Sequence, residues 1–116
     1  MSLILCIDDN QIALYARKLV LESAGYSVIA TDDVEQAVQL FTASDVRLVL
    51  SDYLLRGKMG TELAAEMKRL KPDVPVVILS GVAEMPEGIE NADLFLSKTE
   101  GPCTILRVIS ELLSAS

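Results

Sequence analysis

The chain has 116 residues, 51% hydrophobic and 23% charged, with a net charge of −7 and no histidine. That length holds one domain with one real core, and the composition excludes a disordered polymer. The acid excess excludes a basic face for nucleic-acid phosphates or an anionic membrane; the missing histidine excludes His-based hydrolysis, a typical zinc enzyme and a phosphohistidine carrier.

No apolar run approaches the roughly 20 residues a membrane span needs, and no secretory leader is legible at the N-terminus. A cytoplasmic location is expected. The two cysteines make neither a disulfide framework nor a metal site. Cys6 lies in an apolar run and Cys103 opens the last helical pattern, so both read as reduced packing residues.

In chain order, short apolar runs alternate with amphipathic segments, the pattern of a parallel sheet covered by helices. Leu3–Ile7 is the first strand. A helix from Ile12 to Ala24 follows, its stripe read as Ala16, Leu19, Val20 and Ala24, with Gly25 suited to end it. Tyr26–Ala30 is the second strand, and Thr31, Asp32 and Asp33 offer caps for a helix with an apolar face of Val34, Ala37, Val38 and Phe41. Leu48–Ser51 is the third, central strand because almost nothing in it is polar. Tyr53 to Met59 reads as a loop, with Gly57 and Gly60 supplying flexibility before a helix carrying Leu63, Ala64, Met67 and Leu70.

Pro72 and Pro75 frame the next loop, Val76–Ser80 is the fourth strand and Asp93–Ser97 a short fifth. Pro102 to Leu113 closes the chain as a helix with Ile105, Val108, Ile109 and Leu112 inward; proline is tolerated in its first turn. Between Gly81 and Asn91, Pro86 and Gly88 leave room for two irregular turns at most.

This arrangement predicts an open, doubly wound five-stranded sheet with helices on both faces, whose ligands bind beyond the carboxyl ends of the strands. Asp8 and Asp9 follow the first strand, Asp52 the third, Ser80 the fourth and Lys98 the fifth. Each has an ordinary explanation taken singly: a helix cap, a turn former, a strand-end hydroxyl, a solvated charge. Together, three carboxylates in one crevice repel one another and normally exist to hold a divalent cation. Adding a hydroxyl and an ammonium gives a site for Mg²⁺ and a phosphoryl group.

The set Asp8-Asp9, Asp52, Ser80-Gly81 and Lys98, in this order, resembles the receiver domain of two-component response regulators over essentially the whole chain, residues 1–116. The resemblance implies a flavodoxin-like sheet of order 2-1-3-4-5. It implies that Asp52 is the phosphoacceptor, attacking phosphorus in line to form an acyl phosphate. Asp9, Asp52 and the backbone carbonyl of Leu54 would ligate Mg²⁺, with Asp8 acting mainly through a bound water. Lys98 would neutralise the transferring phosphoryl group, Ser80 would hydrogen-bond it, and Phe95 would be the aromatic switch. The donor would be a phosphohistidine on a sensor histidine kinase or phosphotransfer protein. The readout would be a downstream protein or a separate output domain, without direct nucleic-acid or membrane contact. The domain would be a signalling module rather than an enzyme, beyond self-catalysed phosphotransfer and autodephosphorylation.

Several positions depart from the family. Thr99 follows Lys98 where a cis-proline is usual; a cis bond to threonine costs about 3 kcal/mol, which favours trans. Arg56 stands where proline is common, and Met59 where a small polar or acidic residue is. The segment between Ser80 and Lys98 is shorter by about one helical turn, so a short or irregular fourth helix is expected. Leu54 and Val82, two residues past Asp52 and Ser80, cannot orient a hydrolytic water, which predicts a long-lived acyl phosphate. Two other functions compete: a receiver-like binding module that works without phosphorylation, and a metal-dependent phosphatase, which commonly needs an acid where Leu54 stands.

Overall fold

The computed structural model describes residues 2–81 and 88–114. Five parallel strands form the main sheet: β1 (Leu3–Ile7), β2 (Ser27–Thr31), β3 (Val46–Asp52), β6 (Val76–Ser80) and β7 (Leu94–Ser97), in the order β2-β1-β3-β6-β7. This is the expected 2-1-3-4-5 topology of a flavodoxin-like fold. Between β3 and β6 lie a two-stranded antiparallel hairpin, β4 (Leu54–Leu55) and β5 (Lys58–Met59), and helix α3 (Gly60–Leu70). The other helices are α1 (Gln11–Ser23), α2 (Val34–Ala43) and α4 (Pro102–Ser114). Among the described residues no helix is long and apolar enough to cross a membrane.

Alternation along the strands makes two cores, because successive side chains point to opposite faces. Ile4, Cys6, Leu48, Leu50, Val77 and Leu79 face α1 and α4 and pack with Leu14, Leu21 and Ile109. Leu5, Ile7, Val49 and Ile78 face α2 and α3 and pack with Ala37, Phe41, Leu63, Ala64 and Met67. Cys6 is buried, and loss of solvent pushes its thiol up to about 12, so it is an inert packing group.

Local chemistry sets the helix starts. Asn10 caps α1, its side chain accepting from the Ala13 N–H, so the cap falls to Asn10 and neither Asp8 nor Asp9 serves as one. Asp33 caps α2 by accepting from the N–H groups of Glu35 and Gln36. Asp93 ties two elements together, accepting at 2.7 Å from the Val76 N–H and at 2.9 Å from Lys68.

Four expectations are corrected. The inward stripe of α1 is Leu14, Arg17 and Leu21; Leu19 is 50% exposed, and Ala16 and Ala24 are also exposed. The sheet-facing phase contains an arginine, which hid it from an apolar count, while Ile12, Tyr15 and Leu19 carry apolar side chains on the outside. In α3, Leu70 is turned out to solvent at the last turn. The segment after Asp52 is a hairpin rather than an irregular loop, its turn carried by Gly57 at φ 79°. Gly60 is not a flexible joint: it is buried at the start of α3, and a Cβ there would collide with the backbone carbonyl of Asp52. Of the region before β7, a 3-10 turn spans Ile89–Asn91; Val82 and Pro86 lie outside the described residues, as does most of the expected fourth-helix region.

Candidate functional site

Register builds the site. Ile7 pairs with Ser51 across β1 and β3, so the next residues, Asp8 and Asp52, emerge as neighbours. They continue the alternation of Ile4-Cys6 and Leu48-Leu50, which turns both toward the α1 side of the sheet. Since β1 sends its chain to one side and β3 to the other, they flank the point where strand order reverses, the place ligands occupy in open sheets.

Asp8 is fully buried, Asp52 is 5% exposed, and Asp9 is half-buried at the mouth. One carboxylate oxygen from each lies within 4.8 Å of the other two. Lys98 Nζ is 2.8 Å from Asp52 Oδ1. It gets there from a trans peptide, no cis bond being found among the described residues. Its backbone N–H donates to the Ser80 carbonyl at 2.8 Å, while Thr99 N–H donates to Ser97 Oγ and fixes the turn. Ser80 is buried at the end of β6, beside Ser97 in register. Asp8, Asp9, Asp52 and Lys98 therefore meet in one crevice despite the departure at Thr99, and Ser80 stands at the adjacent strand end.

Leu54, expected to act through its backbone carbonyl, and Phe95 are the other two expected participants. The Leu54 side chain is 56% exposed on the hairpin. Phe95 is half-buried among the α2–α3 side core and meets Tyr53 edge to face, ring centroids 5.9 Å apart. Tyr53 is fixed in turn by its N–H donating to the Leu79 carbonyl and by its carbonyl accepting from the Gly60 N–H. The phosphoacceptor candidate, the aromatic ring and the first turn of α3 are thus joined through one residue.

Electrostatically the cluster is under tension. Burial raises the Asp52 carboxyl above the usual carboxylate range; the hydrogen bond from Lys98 opposes this, and the charge of Asp8 adds to it. Two cations face three carboxylates, which leaves a negative excess. An all-oxygen donor set with such an excess suits a hard divalent ion, and Mg²⁺ keeps several waters and takes few carboxylates. Asp8 fits an indirect role, because both of its oxygens already accept: Oδ1 from the Asn10 N–H at 2.9 Å, Oδ2 from Arg17 Nη1 at 3.0 Å. Among the described residues Asp9 has no ion-pair partner and faces the opening.

Arg17, Tyr53 and Gly60 were not assigned to the site from the sequence. Only Arg17 had a legible signal: a charge spaced three residues after Leu14 and four before Leu21 must be either misplaced or paired.

A family model, the response regulator receiver domain, matches residues 4–110. The chain belongs to that family. It is 27% identical over 117 aligned residues to the transcriptional regulatory protein GlrR of Escherichia coli, covering 97% of this chain but 26% of that protein. The chain therefore spans about a quarter of that relative's length. A CheY-like receiver domain protein from Methanospirillum hungatei superimposes with a TM-score of 0.92 at 27% identity, covering 99% of this chain and 95% of that one. The response regulator TrrA of Thermotoga maritima, solved in complex with Mg²⁺-BeF, gives a TM-score of 0.90 at 24% identity over 97% of this chain and 99% of its own.

Proposed function

We propose that this chain is a single receiver domain over residues 1–116 whose Asp52 accepts a phosphoryl group from a phosphohistidine, and that the modification switches a protein-contact surface. The observation that carries this is the meeting of Asp8, Asp9 and Asp52 within 4.8 Å, with Lys98 already on Asp52. Mg²⁺, held by Asp9, Asp52 and the Leu54 carbonyl with Asp8 acting through water, would supply charge neutralisation to phosphoryl oxygens.

The chain's own residues do the rest. An Asp52 carboxylate oxygen attacks phosphorus as the histidine nitrogen–phosphorus bond breaks, and the departing imidazole takes up a proton from solvent. Ionised Asp52 is the nucleophile, and Lys98 keeps it available by opposing the effect of burial. Lys98 then follows the charge onto the phosphoryl group, and the Ser80 hydroxyl donates to a phosphoryl oxygen. Tyr53 and Phe95 pass the rearrangement from the crevice to the α3 side, with Phe95 as the switch. The donor is a sensor histidine kinase or phosphotransfer protein, and the receiver acts in the cytoplasm on a partner protein or on an output domain beyond this chain. Catalysis of this kind is positioning and charge neutralisation, so turnover of external phosphate esters is not expected.

The experiment is incubation with Mg²⁺ and acetyl phosphate, read by intact mass and peptide mapping. One phosphoryl mass added at Asp52, and absent in Asp52→Ala, supports the reading. One feature favours the phosphorylation-independent module instead: Arg17 and Lys98 already pair with two of the three acids, giving a site that holds together without a ligand. That alternative predicts no mass gain with acetyl phosphate and no uptake of beryllium fluoride.

A further inference from the structure

Of the cations found in ion pairs among the described residues, Arg17 is the most deeply buried, its side chain 13% exposed, and its partner Asp8 is fully buried. It stands on the sheet-facing side of α1, between Leu14 and Leu21, where its apolar stem packs and its guanidinium reaches the acidic crevice. Lys98, the other cation of the site, is 36% exposed. A flexible, wet ammonium can leave Asp52 when another cation arrives. A guanidinium locked under a helix cannot leave without exposing a fully buried carboxylate.

We propose that Arg17 is a positioning residue that orients Asp8 and sets how tightly the site binds Mg²⁺. This rests on the reading of the acidic crevice as a Mg²⁺ site. Arg17 acts in two opposed ways. Without the metal it supplies a positive charge facing the buried Asp8 carboxyl and holds it in one rotamer, since Arg17 and the Asn10 N–H fix one oxygen each. With the metal its charge remains beside the incoming dication and weakens binding. The site is thereby held in shape when empty, at a cost in affinity. Neither effect needs contact of Arg17 with metal or phosphoryl group: the first acts through Asp8, the second through space as charge repulsion.

Charge and hydrogen bonding can be separated. Arg17→Gln keeps an N–H donor for Asp8 but removes the charge; Arg17→Lys keeps the charge. Mg²⁺ alone is titrated into each protein by calorimetry at mildly alkaline pH, and thermal unfolding is recorded in EDTA and in Mg²⁺. Arg17→Gln should bind Mg²⁺ on the order of tenfold or more tightly than the wild type, as loss of a fixed unit charge near a dication requires. Arg17→Lys should stay within about threefold of the wild type. Arg17→Gln should also melt lower than the wild type in EDTA and gain more from Mg²⁺, because a ligand that binds only the folded state stabilises it in proportion to its affinity. Folding of Arg17→Gln only when Mg²⁺ is present would support the same conclusion.

Equal or weaker Mg²⁺ binding by Arg17→Gln, in the face of measurable binding by the wild type, overturns the proposal and leaves Arg17 a structural ion pair. Failure of Arg17→Gln to fold at any Mg²⁺ concentration does so too. Absence of Mg²⁺ binding by every protein, wild type included, removes the Mg²⁺ reading of the site itself.

Discussion

Replacing Asp52 with asparagine should stabilise the metal-free protein. Asp52 lies in the crevice with carboxylate oxygens of Asp8 and Asp9 within 4.8 Å, and at an effective dielectric constant of about 20 each such pair repels by roughly 3 kcal/mol. Lys98 at 2.8 Å offsets much of this, but its side chain is 36% exposed, so its attraction is reduced by solvent. Asparagine removes the repulsion and retains the shape. A net gain of about 1–2 kcal/mol follows, or a Tm higher by about 4–8 °C in a chain of this size.

The pH dependence gives the refutation. Because the folded Asp52 carboxyl is raised, chiefly by burial, the native state still holds a proton at pH values where the unfolded chain has released it. The favourable contribution of Asp52 is complete below its unfolded pKa and is lost as pH rises through the folded one. Asparagine does not titrate. Thermal unfolding in EDTA, followed by circular dichroism across acidic to neutral pH, should show the advantage of Asp52→Asn grow as pH rises and shrink toward the carboxylate range. A neutral-pH Tm equal to or below that of the wild type would refute the account of a strained acidic cluster. So would an advantage that does not vary with pH.

Three further outcomes are expected. Gly60→Ala should cost about 1–3 kcal/mol in denaturant unfolding, because its Cβ would enter the Asp52 carbonyl and push backbone rather than a side chain; an unchanged midpoint would show that α3 can step away freely. Asp93→Ala should cost about 1–3 kcal/mol and speed hydrogen exchange at the Val76 amide, which loses its acceptor. Leu54→Asn should shorten the lifetime of phosphorylated Asp52, measured by mass after removal of phosphodonor, by placing a hydrogen-bonding group where an exposed leucine now stands; an unchanged lifetime would remove Leu54 from the control of hydrolysis.

The strand and helix order, the opposed faces and the convergence of Asp8, Asp9, Asp52, Ser80 and Lys98 on one edge were all legible in the residues, because apolar periodicity is a local property and strand ends follow from it. Leu3–Ile7 and Val76–Ser80 match the observed strands residue for residue, and the boundaries of the other three strands of the main sheet moved by two residues or fewer. What periodicity could not supply was any fact set by two distant segments at once. The inward face of α1 was invisible because it includes Arg17, a residue that belongs inside only when a buried Asp8 from another element is there to meet it. The fit of Gly60 depends on how close α3 comes to the Asp52 carbonyl. That Lys98 reaches Asp52 without the family's proline depends on its N–H being held by β6. Sequence set which groups stand at the sheet edge; distances, charge pairing and close approach emerged only when the strands came into register.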